Sequence, residues 1–381
     1  MSEKSLSSAH LITEANTSVF VYGSKNQKRG PAIREPLPFY NPSMELNRDT
    51  SLLIVQNLLN HSSSHLEMLD GLAASGIRGI RFCNELEGNF SVVINDISPS
   101  AFELIKKNIH HSNCLSRAVA SNKSIHEILA KKSFQYVDVD PFGSPIGFLD
   151  SAIRAVKHKG VLALTATDTA CLCGVFPKVC LRRYAARTQR SPMMHESGLR
   201  ILLGAVARIA ASQDKGIVPL LSYYSDHYFR IYVQLLCGKK YANDAMQSFR
   251  SVDFDWFSFK PSGDIQLMGP LWTGALHNKQ WLIEMKKLNA KMSLGCHSQL
   301  EKLLDLWLQE SSAPLFHYQT DILAKNNGFM PPKLDGLLDV FEKAGFFFCR
   351  THFDGTSFKT DAPYDVVVGL LKDFNRKQQK Q

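Results

Sequence analysis

The sequence predicts an α/β fold with a doubly wound sheet, followed by a smaller α+β unit. From about residue 66, short apolar runs alternate with helix-length amphipathic segments, and this alternation ends near residue 240. In such a sheet the loops after the strands line one edge, where ligands bind. The runs that predict the first five strands are 65–69, 91–95, 117–120, 134–139 and 161–165.

The segments between and after these runs complete the prediction. Ile77–Leu86 and Ser98–Asn108 are expected to be helices, the second with Ser98 as N-cap and Pro99 at its first position. After a helix at 197–211, strands at 218–224 and 228–236 finish the sheet, the last in its interior. The smaller unit should hold helices at 279–288, 297–309, 319–326 and 332–344, and a strand pair within 346–353. We therefore expect domains 1–240 and 241–381, the second resembling a winged helix.

Composition limits the class of protein. The 381 residues are 44% hydrophobic, without the ~20-residue apolar run of a membrane span or the hydrophobic region of a signal peptide, so we expect a cytoplasmic, soluble protein. A monomer is a separate expectation that these observations do not test. The net charge of +9 favours a polyanionic partner. Basic residues form three groups: Lys25, Lys28, Arg29 and Arg34; Arg182, Arg183, Arg187 and Arg190; and Lys372, Arg376, Lys377 and Lys380.

The cysteines predict neither a disulfide framework nor a metal site. Eight are present without a C-x-x-C pair, as is typical of thiols kept reduced. Cys171, Cys173 and Cys180 are close in sequence, but their spacing is not that of a zinc site.

Asp140-Pro141-Phe142-Gly143 follows the fourth predicted strand and is suited to chemistry on the amino group of a planar base. Asp140 and the Pro141 carbonyl could accept the N–H groups of an exocyclic amine, while Phe142 stacks on the ring. By itself, an Asp-Pro pair after a buried strand is also typical of a helix N-cap or turn.

The segment Leu69 to Gly79 follows the first strand and has small residues where a ligand would approach the backbone. A phosphate-binding P-loop is excluded because Ile77 stands where its lysine should be, and a dinucleotide fingerprint would have Ala74 for its first glycine. An S-adenosylmethionine loop remains. Asp96, at the end of the second strand, could accept hydrogen bonds from the two hydroxyl groups of a ribose. NAD sites use an acid in the same role. The motif after the fourth strand favours methyl transfer.

Several segments resemble the tRNA (guanine-26-N2)-dimethyltransferase family, in its archaeal form, over nearly the whole length. The resemblance implies a Rossmann-like class I methyltransferase domain and a smaller α+β C-terminal domain. The matching segments are Phe39–Asp49, Leu72–Arg81, Asn95–Ser98, Asp138–Pro145, Thr165–Asp168, Tyr223–Arg230 and Arg350–Phe353.

The resemblance also implies roles for individual residues. Asp140 would be the catalytic acid, and Phe39 and Phe142 would sandwich the flipped base. Arg48 and Arg78 would lie near the methionine moiety, with Asp96 on the ribose. Where family members carry Asp-Ala at the adenine, this chain has Ser124-Ile125, so a neutral hydroxyl and the Ile125 N–H would serve instead.

The resulting prediction is an enzyme that transfers one or two methyl groups from S-adenosylmethionine to the N2 amine of guanine 26 in tRNA by direct in-line displacement. No metal is expected. Two alternatives stay open: a DNA amine methyltransferase, which would carry a second proline in place of Phe142, and a catalytically impaired tRNA-binding protein, suggested by Ser124.

Overall fold

The first described residues form a hairpin and, after residue 38, a long helix, neither of which was predicted from the sequence. The structure, a computed structural model, describes residues 9–22, 38–253 and 267–378. Strands β1 (His10–Glu14) and β2 (Thr17–Val21) pair antiparallel, and a short 3-10 turn, Pro42–Met44, leads into α1 (Glu45–Asn60). The early basic group, Lys25 to Arg34, lies outside the described residues.

A seven-stranded sheet forms the centre of the molecule. Its strands run in the order β5-β4-β3-β6-β7-β9-β8; the first five are parallel, and β9 is antiparallel to both of its neighbours. Strand β9 is therefore interior, as predicted. The elements are β3 (Leu66–Asp70), α2 (Ile77–Glu85), β4 (Phe90–Asn95), α3 (Pro99–His111), β5 (Ala118–Ser121), α4 (Ile125–Lys131), β6 (Phe134–Val139), α5 (Ile146–Ala155), β7 (Val156–Ala166), α6 (Thr169–Leu172), α7 (Pro177–Tyr184), α8 (Met194–Ala211), β8 (Lys215–Ser225) and β9 (Tyr228–Cys237).

Both faces of this sheet are buried, as expected for parallel strands covered by helices. Successive residues of a strand join different apolar clusters: Met68 and Tyr136 pack on the face covered by α1, and Leu69 and Val137 on the face covered by α5 and α8. The predicted N-cap is confirmed, since the Ser98 hydroxyl accepts from the Ala101 N–H at the start of α3.

The C-terminal part is a smaller α+β arrangement with two short sheets. Strand β10 pairs with β11, and β14 lies between β12 and β13 in an antiparallel sheet. Its elements are α9 (Lys239–Gln247), β10 (Phe249–Val252), β11 (Met268–Trp272), α10 (Lys279–Asn289), α11 (His297–Glu310), β12 (Tyr318–Gln319), α12 (Thr320–Asn327), α13 (Leu337–Lys343), β13 (Phe348–Arg350), β14 (Ser357–Thr360) and α14 (Tyr364–Gln378).

Two expectations for this part were wrong. The helix predicted from Pro332 begins only at Leu337, because Gly336 precedes it in the left-handed conformation with φ 84°. The strand pair predicted within 346–353 extends further: β13 pairs with β14, and Asp354 makes the turn by accepting the Thr356 N–H at 2.8 Å. Among the described residues, no helix is long and apolar enough to cross a membrane.

Candidate active site

The carboxyl ends of β3 and β6 form the centre of the site. The chain adds β4 and β5 on one side of β3, then returns to add β6 and β7 on the other side. This change of direction is the place where doubly wound sheets open a crevice. Asp70 at the end of β3 is in register with Asp138 of β6, and Asp140 follows directly after that strand.

Asp140 pairs with a buried arginine of α2. Arg78 Nη2 donates to Asp140 Oδ2 at 2.6 Å, and Arg78 Nη1 donates to Asn47 Oδ1 at 2.8 Å and to the Ser51 hydroxyl at 2.7 Å. The side chain of Asp140 is 22% exposed and that of Arg78 only 7%. The carboxylate therefore faces the opening, and the guanidinium supports it from below.

A second buried ion pair lies beneath the first. Arg230 donates to both carboxylate oxygens of Asp138, at 3.1 and 2.5 Å, and to the Thr165 hydroxyl at 3.0 Å; the Tyr136 hydroxyl also donates to Asp138. Burial would raise the pKa of Asp138, but the charges of Arg230 and Arg78 outweigh it and lower that pKa. Asp138 is thus a fixed buried anion.

Asp70 is a buried acid of the site whose pKa is raised, in contrast to that of Asp138. Burial raises the pKa of its carboxyl to about 7, against the opposing charge of Arg78. One of its oxygens accepts the Gly79 N–H at 3.1 Å, at the start of α2. Near neutral pH this carboxyl can change its charge in response to a cationic ligand.

The loop after β3 passes close to neighbouring backbone and side chains. A Cβ on Gly71 would lie 2.9 Å from the Asp138 carbonyl oxygen, so a side chain there would force the neighbouring backbone to shift. Asp96 fastens this loop, since one oxygen accepts the Ala74 N–H at 2.9 Å and the other the Ser98 N–H at 2.9 Å. A carboxylate has about four acceptor positions, so Asp96 retains capacity for a ligand.

Ser124 and Ile125 lie at the amino end of α4. Ser124 is the N-cap residue, and its side chain makes no capping hydrogen bond. Ile125 is the first residue of the helix, where backbone N–H groups have no partner within the helix. The side chain of Ile125 lies beside Gly71, so this helix end adjoins the loop after β3.

Two aromatic rings flank the approach to Asp140. The ring centroids of Phe39 and Phe142 are 5.5 Å apart and the ring planes meet at 62°, an edge-to-face contact. Phe142 is 54% exposed, whereas Pro141 is buried. The loop behind Phe142 is fixed by Thr167, whose hydroxyl accepts the Gly143 N–H at 2.6 Å.

Arg48 lies in the first turns of α1 and pairs with β1. Its Nε donates to Glu14 Oε2 at 2.7 Å, and its Nη2 donates to the other Glu14 oxygen and to the Asn41 carbonyl. The Tyr40 hydroxyl also donates to Glu14, at 2.7 Å. This cluster fixes the segment that carries Phe39, and these bonds do not include the Arg78–Asp140 pair.

The second basic group lies on the same edge of the sheet as Asp140. The Tyr184 hydroxyl, at the end of α7, donates to Asp168 at 2.7 Å and is 2.8 Å from the Ser144 hydroxyl, two residues after Phe142. Arg183 donates to Asp168 at 3.1 Å. The exposed residues of the segment 174–190 are Val175, Phe176, Pro177, Lys178, Leu181, Arg182, Arg183, Ala185, Arg187, Gln189 and Arg190.

The cysteines are all free thiols, but three other side chains gather in a metal-like cluster away from the site. Single ligand atoms of His277, Glu310 and His352 lie within 4.8 Å of one another. The outer ring nitrogens of the histidines accept backbone N–H groups, of Ser222 and Tyr224, at 3.4 Å. Of the nitrogens that face the cluster, His352 Nδ1 lies 2.7 Å from Glu310 Oε1, whereas His277 Nε2 and Glu310 Oε2 are buried without a hydrogen-bond partner among the described residues.

Sequence reasoning assigned no role to several residues that build the site. Asn47 and Ser51 lie on α1, whose polar and apolar residues are both buried, so the helix has no clear apolar stripe. Glu14 lies on a hairpin without a motif. A usable signal did exist for Asp138 and Arg230, because each is a charged residue inside a buried strand and such residues require a partner.

A protein-family model, individual relatives and a solved structure all show similarity of this chain to the same family. Residues 31–372 match the family described as N2,N2-dimethylguanosine tRNA methyltransferase. The tRNA (guanine(26)-N(2))-dimethyltransferase of Pyrococcus abyssi is 40% identical, covering 90% of this chain and 95% of that protein, and the one of Thermococcus kodakarensis is 39% identical, covering 88% and 93%. The structure of Trm1 from Pyrococcus horikoshii in complex with S-adenosyl-L-methionine has a TM-score of 0.84 and 32% identity, covering 95% of this chain and 99% of that one.

Proposed function

The chain belongs to the N2,N2-dimethylguanosine tRNA methyltransferase family, and from this premise we propose that it methylates the N2 amine of guanine 26 in tRNA. It is an S-adenosylmethionine-dependent enzyme. One observation supports the assignment of this reaction to the site. Asp140, Pro141 and Phe142 lie together at the carboxyl end of β6, beside Phe39 and the loop after β3.

Asp140 is the group that contacts the amine. Its carboxylate and the Pro141 carbonyl accept the two N2–H groups, which localises the nitrogen lone pair towards the cofactor. Bound S-adenosylmethionine would supply its sulfonium methyl group to this lone pair in line, and the electron pair of the broken carbon–sulfur bond would remain on sulfur. The positive charge that develops on nitrogen is stabilised by Asp140, through which the excess proton leaves to solvent.

The base lies between Phe39 and Phe142. Their present edge-to-face contact leaves no space for a third ring, since a base stacked on both sides needs parallel rings about 7 Å apart, twice a contact distance of about 3.5 Å. Phe142 is the more exposed ring, so it is the one that turns when guanine enters. Stacking on two rings offsets the cost of unstacking the base from the tRNA.

Residues at the ends of β3, β4 and β5 would hold the cofactor. Asp96 would accept hydrogen bonds from its ribose diol, and Ser124 and the Ile125 N–H would contact its adenine. Arg48 and Arg78 lie at the methionine end; the bonds of Arg48 to Glu14 and Asn41 use Nε and Nη2, so Nη1 is the group we assign to the cofactor.

Substrate selection involves the C-terminal domain and the second basic group. We place the boundary between domains 1–240 and 241–381 just after β9, the last strand of the central sheet in the chain, within the first turn of α9. The C-terminal sheet has a helix-strand-helix-helix-strand-strand order with the first strand paired to the last, which supports a winged-helix-like tRNA-binding domain.

The test compares the parent enzyme with Asp140→Asn in transfer of labelled methyl to unmodified tRNA. We expect dimethylguanosine from the parent and a rate at least ~100-fold lower from the variant, since a positioned proton acceptor contributes that much. A tRNA with inosine at position 26 is the matched control, because inosine lacks only the N2 amine.

Two outcomes contradict the proposal. Transfer to the inosine tRNA would show that another atom is methylated. Binding of tRNA without any transfer at saturating S-adenosylmethionine would identify the chain as a catalytically impaired tRNA-binding protein.

A further inference from the structure

The loop after β6 is anchored on the side that follows Phe142. The Gly143 N–H donates to the Thr167 hydroxyl at 2.6 Å, and the Gly143 carbonyl accepts the Thr167 N–H at 2.9 Å. The next residue, Ser144, has its hydroxyl 2.8 Å from that of Tyr184, at the end of α7. Because the Phe142 ring is 54% exposed, packing alone does not fix it, and these anchors determine where it lies.

The direction of the bonds at Tyr184 follows from the chemistry of its phenol. Tyr184 has one hydroxyl proton and donates it to Asp168 Oδ1 at 2.7 Å. The Ser144 hydroxyl must therefore donate to the Tyr184 oxygen. Tyr184 is buried, and burial together with the charge of Asp168 raises the pKa of Tyr184, so the phenol keeps its proton at every working pH. Its hydroxyl thus bridges Asp168 and the loop after β6.

We propose that Tyr184 is the positioning residue for the loop that carries Pro141 and Phe142. Its bond to Ser144 fixes the segment whose carbonyl and ring are to hold the guanine, and its bond to Asp168 fixes Tyr184 itself. Tyr184 acts on the base through this loop. The inference rests on the roles proposed above for Pro141 and Phe142.

A loosened loop should slow methyl transfer more than it weakens binding. In-line attack requires the amine nitrogen to be aligned with the methyl group, and a misplacement of about 1 Å can cost about 100-fold in rate. The affinity for tRNA depends largely on phosphate contacts. The residues proposed to hold the adenosine of the cofactor follow β4 and β5, on the other side of β3. Loss of the Tyr184 hydroxyl therefore predicts a lower rate with nearly unchanged affinities.

The experiment is a double-mutant cycle of Tyr184→Phe and Ser144→Ala. We measure the single-turnover rate of methyl transfer with saturating tRNA and S-adenosylmethionine, and the dissociation constant of each. Tyr184→Phe should lower the rate ~10-fold and keep both dissociation constants within about threefold. Ser144→Ala should give a similar loss and tests the same bond if Tyr184→Phe does not fold. The double variant should be no slower than the slower single variant, since the two hydroxyls act as one unit.

Further variants separate positioning from folding. Asp168→Asn keeps an oxygen for the Tyr184 hydroxyl and should retain more of the rate than Asp168→Ala, which leaves that hydroxyl without this acceptor. Tyr364→Phe is the matched control, because it removes a hydroxyl that accepts from Asn327 at 3.0 Å in the C-terminal part. It should lower thermal stability about as much as Tyr184→Phe without slowing methyl transfer.

Each contrary result has a distinct meaning. A Tyr184→Phe enzyme as fast as the parent would overturn the inference, as would rate losses that multiply in the double variant. Equal losses in Asp168→Asn and Asp168→Ala, or a rate that follows tRNA affinity, would also overturn it, since the bond to Tyr184 would not be what matters. A Phe142→Ala enzyme as fast as the parent would instead overturn the role proposed for the loop, and a parent without methyl transfer would overturn the proposed function.

Discussion

Asp70 is a single residue whose ionisation should be visible in the stability of the whole protein. Its pKa is about 7 in the folded chain because of burial, and near 4 in an unfolded chain. Between these values the folded state holds a proton that the unfolded state has lost. Folding stability therefore falls as pH rises from about 4 to about 7, and the loss is complete above that range.

Asp70→Asn should remove this pH dependence. Asparagine keeps an oxygen for the Gly79 N–H but has no charge, so the variant should gain up to ~4 kcal/mol over the parent between pH 4 and pH 8. Urea unfolding at several pH values measures the difference. Glu67→Gln on the same strand is a control whose effect on the pH dependence of stability should have the opposite sign. Hydrogen bonds from lysine side chains, and their charges, lower the pKa of Glu67. A difference between Asp70→Asn and parent that does not change with pH would contradict the prediction.

At the scale of elements, the loop between α6 and α7 connects the basic group to the site. Gly174 has φ 84°, and a Cβ there would lie 2.2 Å from the Gln189 carbonyl carbon and 2.4 Å from the Arg190 nitrogen. The segment that carries Arg187 and Arg190 therefore packs directly on this glycine. Any side chain at position 174 must displace it.

Gly174→Ala should disturb this segment while leaving the cofactor loop intact. We expect a loss of about 2–4 kcal/mol from the left-handed strain and the overpacking together. Binding of tRNA should weaken and binding of S-adenosylmethionine should persist. Gly147→Ala is the control, because that exposed glycine in α5 has open space around it and should gain about 0.5–1 kcal/mol. Equal stability of the two variants would refute the expectation.

At the scale of the molecule, the accuracy of sequence reasoning depended on how each segment is buried. The parallel strands were recognisable because both of their faces are apolar, and their ends placed Asp96 and Asp140 at one edge. Helix α1 was missed because it buries polar residues on several sides, where Asn47 and Ser51 bind Arg78. Such partners are set by tertiary contacts between distant segments, which local periodicity does not record.

The positions of the exposed charges are also set by the tertiary fold. The net charge of +9 is a property of the sequence, but its effect on an RNA depends on where exposed cations lie. Strand β7 ends at the edge that carries Asp140, so Arg182 and Arg187 lie on that side. Strand β9 runs in the opposite direction, so Lys239 and Lys240, which follow it, lie at the other edge.

This placement gives a matched comparison with equal loss of charge. Arg182→Ala/Arg187→Ala should weaken tRNA binding and reduce the slope of log affinity against log salt by about 1.5, as expected for two lost phosphate contacts. Lys239→Ala/Lys240→Ala removes the same charge from the far edge and should leave the slope unchanged. Filter binding across a range of salt concentrations measures both slopes. If the two double variants behave alike, tRNA responds to net charge alone, and the loop after β7 is not part of its binding surface.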